Sequence, residues 1–175
     1  QFWHGYFAGA FRTTDNDLFL GGGQRIPKAT TGGGITSLGF KRLDSGGSWT
    51  ASSAVGTARS RGVSVRSADK LRWFFAGGQT NTATPAAASN ALSIWNGTTM
   101  VTGTLGTART QPVGTAFGPS GALILGGKDS AGVWLKTAEH VGADGKNLST
   151  TTMASYHAAV VTLQNRKALA LGCPA

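Results

Sequence analysis

Cysteine and long apolar runs are almost absent from this sequence of 175 residues. The single cysteine, Cys173, excludes an internal disulfide framework and a zinc site built from cysteines. No apolar stretch approaches the roughly 18 residues that cross a bilayer as a helix. The sequence opens without the layout of a signal peptide. We therefore expect no membrane span.

Acidic residues are also few. The chain has 16 basic and 7 acidic residues, which gives a formal charge of +9 at pH 7. A basic excess suits an acidic partner. The basic side chains are dispersed along the chain, whereas a nucleic-acid footprint needs them clustered on one surface. Nucleic acid therefore stays open as a partner and is not favoured.

Glycine is abundant, with 27 residues against 5 prolines. Many glycines form clusters between short apolar runs. Such clusters separate strands, because glycine reaches backbone angles that other residues avoid. The composition therefore predicts an all-β protein with many turns. The clusters occupy residues 21–23, 32–34, 77–78 and 126–127.

An internal repeat organises the chain. The tetrapeptide Gly-Thr-Ala-Arg at residues 56–59 recurs at 106–109, 50 residues later. Each copy leads into an apolar strand, a polar turn, a second apolar strand and a glycine pair. From the arginine to the first glycine of the pair is 18 residues in one copy and 17 in the other. The repeat residues are Arg59, Gly77 and Gly78 in the first copy, and Arg109, Gly126 and Gly127 in the second.

The same spacing identifies two further hairpins. His4 precedes Gly22 by 18 residues, and Ser155 precedes Gly172 by 17. The residues between them again alternate apolar runs with a polar turn. Four hairpins of one design are therefore predicted.

Between successive hairpins, a strand, a tight turn and another strand recur. Asn96-Gly97 and Asp144-Gly145 mark two of these turns, and both dipeptides are typical of two-residue turns with positive φ at each central position. Each period of about 50 residues then holds four short antiparallel strands, which is the content of one propeller blade.

This pattern resembles the kelch family. Kelch blades have a hairpin that ends in two apolar residues and a glycine pair, then a strand, a turn and a strand with tryptophan, at a period of about 50. Trp49 follows its turn as in that pattern, and Trp95 precedes its own. The resemblance covers nearly the whole chain.

The resemblance implies a kelch-type β-propeller portion, with about three four-stranded blades and part of a fourth. Residues 1–175 then form one propeller region, with blade units at roughly 1–55, 56–105, 106–153 and 154–175. Such a ring is incomplete, so we expect further blades from the same chain or from another subunit. The start at Gln1 and the end within a blade favour a longer propeller.

A non-catalytic interaction or scaffolding module is the leading functional hypothesis. A protein or glycan partner would bind the variable loops that follow the glycine clusters, at 24–34, 79–90 and 128–132. The first two are long, and long loops on a rigid scaffold are often functional. No metal or cofactor is expected. A secreted or assembly-bound location is favoured, and glycosylation at the sequons of Asn96 and Asn147 stays open.

Two alternatives remain. One is a structural subunit of a larger assembly, such as a virion, an appendage or an organellar complex. The other is the propeller portion of a galactose-oxidase-like copper oxidase, since the segment at Tyr156-His157 is similar to blades of that group. That enzyme class uses tyrosine, histidine and a tyrosine–cysteine crosslink. Against it, the histidines His4, His140 and His157 form no close ligand pair and Cys173 occupies a glycine position of the repeat.

Overall fold

The computed structural model describes residues 3–4, 9–12, 18–21, 24–25, 36–37, 41–43, 46–51, 59–80, 87–163 and 167–173. All regular structure in these ranges is β-strand. This confirms the all-β prediction. Within the same ranges there is no helix that could cross a membrane.

The first part of the chain forms two small antiparallel sheets. The larger one has four strands, in the order β2-β3-β6-β7, and the smaller has three, in the order β1-β4-β5. The smaller sheet was not predicted from the sequence. The strands are β1 (Trp3–His4), β2 (Gly9–Arg12), β3 (Leu18–Gly21), β4 (Gln24–Arg25), β5 (Thr36–Ser37), β6 (Lys41–Leu43) and β7 (Trp49–Ala51).

Two more four-stranded antiparallel sheets and a hairpin follow, as the repeat predicts. In each sheet the strands pair in chain order. The second sheet contains β8 (Val63–Arg66), β9 (Trp73–Ala76), β10 (Ser89–Trp95) and β11 (Met100–Arg109). The third contains β12 (Val113–Phe117), β13 (Gly121–Leu125), β14 (Thr137–Val141) and β15 (Asn147–Thr152), and the hairpin is β16 (Tyr156–Thr162) with β17 (Ala168–Cys173).

The Asn-Gly turn differs from the expected two-residue form. Trp95 pairs with Met100, which leaves four residues in the turn. Gly97 has positive φ, whereas Asn96 does not. The Asn96 side chain instead accepts hydrogen bonds from the backbone N–H groups of Thr98 and Thr99, at 2.9 and 2.8 Å. An Asx-type turn of this kind satisfies the backbone without a second residue at positive φ.

Successive sheets contact each other through their first strands. β2 lies beside β8, β8 beside β12, and β12 beside β16. The last strands of the second and third sheets, β11 and β15, also approach each other. The main apolar core therefore lies between the second and third sheets. Its buried residues are Val65, Phe74, Ala76, Leu92, Ile94, Leu105, Ala122, Ile124 and Val141.

The strand β11 is longer than the repeat suggests. It runs for ten residues and includes the tetrapeptide at 106–109, which the sequence places at the start of the next unit. A boundary between 105 and 106 thus falls inside a strand of the second sheet. Arg109, the last residue of this strand, therefore lies at the junction of two sheets.

Candidate binding surface

The connections β9–β10 and β13–β14 leave their sheets at one end, which we call the glycine-pair end because residues 77–78 and 126–127 lie there. Beyond each glycine pair, one residue bridges two other chain segments. These bridges fix where each loop starts and returns. They are Ser60–Gln79–Ala88 in the second sheet and Thr110–Lys128–Trp134 in the third.

The glycine pairs lie where two backbone segments come close together. All four glycines have positive φ, between +58° and +105°. A Cβ on Gly78 would lie 2.5 Å from the carbonyl oxygen of Ser60, and a Cβ on Gly127 would lie 2.5 Å from that of Thr110. Both the backbone angle and the close approach therefore require glycine.

Arg59 connects the glycine-pair end to the interior of the second sheet. Its Nη2 donates to the carbonyl oxygen of Phe75 at 2.5 Å and to Ser93 Oγ at 3.2 Å. Burial lowers the pKa of this guanidinium to about 10. Arg59 therefore stays charged at neutral pH and joins the second and third strands of the sheet.

Arg109 has the corresponding place before the third sheet, and it is fully buried. Its Nη1 donates to the carbonyl oxygens of Gly126 and Thr137, at 3.0 and 3.1 Å, and its Nη2 bonds the carboxylate of Glu139. Burial lowers the pKa of Arg109, while the charge and hydrogen bond of Glu139 act in the opposite direction. The ion pair keeps the arginine charged within the protein interior.

The carboxylate of Glu139 is fully buried and accepts hydrogen bonds from four groups. Besides Arg109, the donors are the backbone N–H of Gly106 at 2.5 Å, that of Thr107 at 3.0 Å, and Asn147 Nδ2 at 2.8 Å. Gly106 and Thr107 belong to β11 of the second sheet, whereas Glu139 lies on β14 of the third. The carboxylate therefore joins two sheets.

The two arginine sites are equivalent by register. Ser93 pairs with Phe75 across two strands, and Glu139 pairs with Ile124 in the same way. Phe75 and Ile124 each lie two residues before the first glycine of their glycine pair. At this repeat position, Arg59 bonds to the hydroxyl of Ser93, whereas Arg109 bonds to the carboxylate of Glu139. The two sites therefore share one geometry, and the second contains an ion pair.

The loop after the second glycine pair presents an exposed aromatic ring. The indole of Trp134 is 47% exposed, and Lys128 Nζ lies 4.5 Å from its centroid. The adjacent Val133 is also exposed. A ring with a cation beside it offers a flat apolar contact together with positive charge.

Hydrogen bonds hold this loop in one shape. Asp129 Oδ1 accepts from the backbone N–H groups of Ala131 and Val133, both at 2.9 Å. Ser130 Oγ accepts from the backbone N–H of Ala88, at 3.0 Å, in the loop of the second sheet. The loops of two neighbouring sheets therefore form one surface, which we call the Trp134 surface. It comprises residues 128–134 with 87–88.

The remaining predicted repeat residues are placed as follows. Trp95 pairs with Trp73 across β9 and β10, and Trp49 pairs with Leu43 across β6 and β7. Trp49 therefore lies on the fourth strand of its sheet, at the position that Met100 occupies in the second sheet. Trp95 lies on the third strand, next to Met100. Gly172 lies in β17, and Gly22 lies outside the described residues, as do 26–34 and 81–86 of the predicted loops.

Groups suited to metal chemistry are not gathered in the described part of the chain, where no three His, Cys, Asp or Glu residues come together. His140 packs edge to face on Phe117, with 4.9 Å between ring centroids, and burial lowers its pKa. The backbone register places Tyr156 opposite Cys173. The side chains of Tyr156, His157, Cys173 and His4 lie outside the described residues.

Sequence reasoning missed Glu139 and Asn147 as partners. Asn147 drew attention only as a sequon, yet its amide donates to the buried carboxylate of Glu139. One signal was available: Glu139 is the single glutamate and falls within a predicted strand. Acidic residues are rarely buried without partners, so a glutamate on a core strand would need a cationic or hydrogen-bonding partner.

Comparison with protein-family models and with curated proteins finds no match to this chain.

Proposed function

We propose that this chain is a portion of a kelch-type β-propeller, with about three blades and part of a fourth, acting as a non-catalytic interaction or scaffolding module. A protein or glycan partner would bind the Trp134 surface, formed by loops of two neighbouring sheets. The observation that carries this proposal is the exposed Trp134 ring beside Lys128, on a loop that is fixed by Asp129 and bonded to its neighbour.

The sheet packing supports the blade assignment. First strands of successive sheets lie side by side, as they would around a common axis. The glycine pairs and the arginines of two sheets have equivalent geometry, which is typical of blades built from one repeat.

The Trp134 surface supports the binding assignment. Aromatic side chains supply much of the binding energy of many interfaces, and a rigid loop loses little conformational entropy on binding. The basic excess of the whole chain favours an acidic glycan or an acidic peptide over a neutral one.

Binding can be tested with arrays of neutral and acidic oligosaccharides and of acidic peptides, followed by calorimetry on the best probe. Trp134→Ala should weaken binding by about tenfold or more, which corresponds to the loss of one well-placed aromatic contact. Leu148→Ala is the matched control, because Leu148 is 57% exposed on a strand away from this surface. Binding to no probe, or equal loss in both variants, would argue against the proposal.

A copper oxidase is the second candidate, because the register sets Tyr156 opposite Cys173, the residue pair that a tyrosine–cysteine crosslink would need. Metal analysis of protein purified from copper-supplemented cells separates the two functions. The interaction module predicts no copper at stoichiometric level. One copper per chain, with a crosslinked tryptic peptide, would establish the oxidase.

A further inference from the structure

A cavity of about 220 Å³ lies at the end of the second sheet that is opposite its glycine pair. It is bounded by the turn that joins β8 to β9 and by the turn that joins β10 to β11. Trp73 and Trp95 line it, together with Lys70, Leu71 and residues 96–98. We call this cavity the indole pocket.

The two indoles belong to one row of side chains across the sheet. Arg66 pairs with Trp73, and Trp73 pairs with Trp95, so the three side chains share one face. Counted back from the glycine pair, the third sheet has Ala122 and Val141 where the second has the two indoles. Both of those residues are fully buried, whereas the two indoles are half-buried. A pair of indoles is therefore not a requirement of the repeat.

The turn between β8 and β9 is fixed by its own side chains. Ser67 Oγ accepts from the backbone N–H of Arg72 at 3.0 Å and bonds to the carboxylate of Asp69. The same carboxylate accepts from the backbone N–H of Leu71 at 3.0 Å and pairs with the Arg72 guanidinium at 2.8 Å. Lys70 lies between them with φ +62°, which few residues other than glycine adopt. The side chains of Lys70 and Leu71 are therefore presented from a backbone of one shape.

Two cations lie at the indole pocket. Arg66 lies over the Trp73 ring, 5.1 Å from its centroid, and its Nε and Nη2 donate to the carbonyl oxygen of Lys70 at 3.3 and 3.2 Å. The nearby carboxylate of Asp69 is paired with Arg72. Within the part of the chain that the structure describes, no carboxylate pairs with Arg66 or with Lys70. The charge beside the indoles is therefore positive.

We propose that the indole pocket binds an acidic sugar, that is, a pyranose ring that carries a carboxylate, as one unit of a glycan. Pockets for drug-sized ligands have about 300–1,000 Å³. A cavity of about 220 Å³ therefore suits a single ring. The C–H face of a pyranose packs on an indole, and its hydroxyls can reach the exposed Thr98. The carboxylate is the part that complements Lys70 and Arg66, through charge-assisted hydrogen bonds.

The trimer of galacturonic acid and its methyl ester are the probes, because both carry the same rings and only the acid is charged. Titration of the isotope-labelled 175-residue chain, followed by NMR through the indole N–H signals of its five tryptophans, reports which rings are contacted. We expect the acid to shift the signals of Trp73 and Trp95, which Trp73→Phe and Trp95→Phe identify. The ester should bind about tenfold more weakly, because it lacks the charge. No shift at either indole, or equal affinity for acid and ester, would overturn the proposal.

Lys70→Gln tests the charge without removing an indole. Glutamine tolerates this backbone conformation, since Gln111 has φ +54°. The variant should bind the acid about tenfold more weakly, because a hydrogen bond between charged groups is lost. Lys146→Gln is the matched control: it removes the same charge from a side chain that is 79% exposed on the third sheet, and it should leave the affinity unchanged. Equal losses in the two variants would show attraction by overall charge alone and would overturn the proposal.

The indole pocket goes beyond the Trp134 surface and lies at the opposite end of the sheet, so the two proposals fail separately. Trp134→Ala should leave the shifts of Trp73 and Trp95 unchanged. Loss of these shifts in Trp134→Ala, with Lys70→Gln behaving as the wild type, would assign the acidic sugar to the other surface and overturn the pocket. A short oligothymidylate is the last probe. If it shifts the same two indoles and the sugar acid does not, the ligand is a nucleic acid and the proposal is wrong.

Discussion

Glu139→Gln tests the inter-sheet network most sharply, because it removes a charge without changing the shape of the side chain. The carboxylate accepts from Gly106, Thr107, Asn147 and Arg109, and both it and the guanidinium are fully buried. Glutamine would turn an NH2 group towards one of these donors. It would also leave the buried charge of Arg109 without a counter-ion.

The expected loss in the free energy of unfolding is large. Removing one partner of a buried ion pair typically costs about 3–5 kcal/mol. A domain has only about 5–15 kcal/mol of stability in total. We therefore expect Glu139→Gln to lose about 3 kcal/mol or more and to move the urea midpoint well below that of the wild type.

Urea unfolding followed by circular dichroism measures this loss, with a double-mutant cycle through Arg109→Met and Glu139→Leu. Residues in one network show coupling energies of about 0.5–3 kcal/mol. The double variant should be more stable than the sum of the single losses indicates. Arg109→Met also leaves the carbonyl oxygens of Gly126 and Thr137 without this donor, so recovery will be partial.

Asp144→Asn is the matched control. Asp144 pairs with Lys146 at 3.4 Å on the surface, with side chains 55 and 79% exposed, and such pairs contribute little. Asp144→Asn should therefore leave the urea midpoint of unfolding unchanged. A loss below about 1 kcal/mol for Glu139→Gln would refute the assigned role of the buried carboxylate.

Two further predictions concern a glycine and a histidine. Gly127→Ala should destabilise the protein more than Gly132→Ala in the same urea assay. Both glycines have positive φ, but only at Gly127 would a Cβ lie 2.5 Å from the carbonyl oxygen of Thr110. Equal losses would show that the backbone angle alone matters. Because burial lowers the pKa of His140 below its ordinary 6.5, its protonation favours the unfolded chain. Stability from this source is complete above pH 6.5 and falls as the pH drops through that value. His140→Gln should therefore flatten the decline in stability measured between pH 7 and 5, and an unchanged profile would exclude His140 as its source.

The strands of the second and third sheets could be predicted from the sequence because their signals are local. Val113–Phe117 was expected as a strand and is β12. Apolar alternation, the polar turn at 118–121 and the following glycine pair all lie within about 15 residues, so no distant contact was needed to identify them.

The inter-sheet contacts could not be predicted in the same way. Glu139 meets Gly106 and Thr107 only after two sheets pack, and a sequence gives no distance between positions 32 and 33 residues apart. Arg109 was assigned to the repeat, yet the tetrapeptide that it ends was not expected to extend β11. At this end of the strand, Arg109 pairs with Ser89 of its own sheet after a register shift, and Gly106 and Thr107 donate to Glu139 of the next sheet.

The loops were predicted as binding elements from their place after the glycine pairs, and two of the three also from their length. The stacking of Lys128 on Trp134 and the bond from Ala88 to Ser130 depend on how neighbouring loops meet. Length indicates where variation is tolerated, whereas recognition depends on which side chains the scaffold holds outward.

Disulfide trapping between neighbouring first strands tests the packing of the sheets most directly. Thr115→Cys and Thr162→Cys, in a Cys173→Ser background, would place two sulfurs where the hydroxyl oxygens are now 2.6 Å apart. Mild oxidation followed by peptide mapping should yield one disulfide within a single chain, whereas Thr115→Cys with Thr150→Cys should yield none. Free thiols after oxidation, or disulfides only between chains, would contradict the side-by-side packing of β12 and β16.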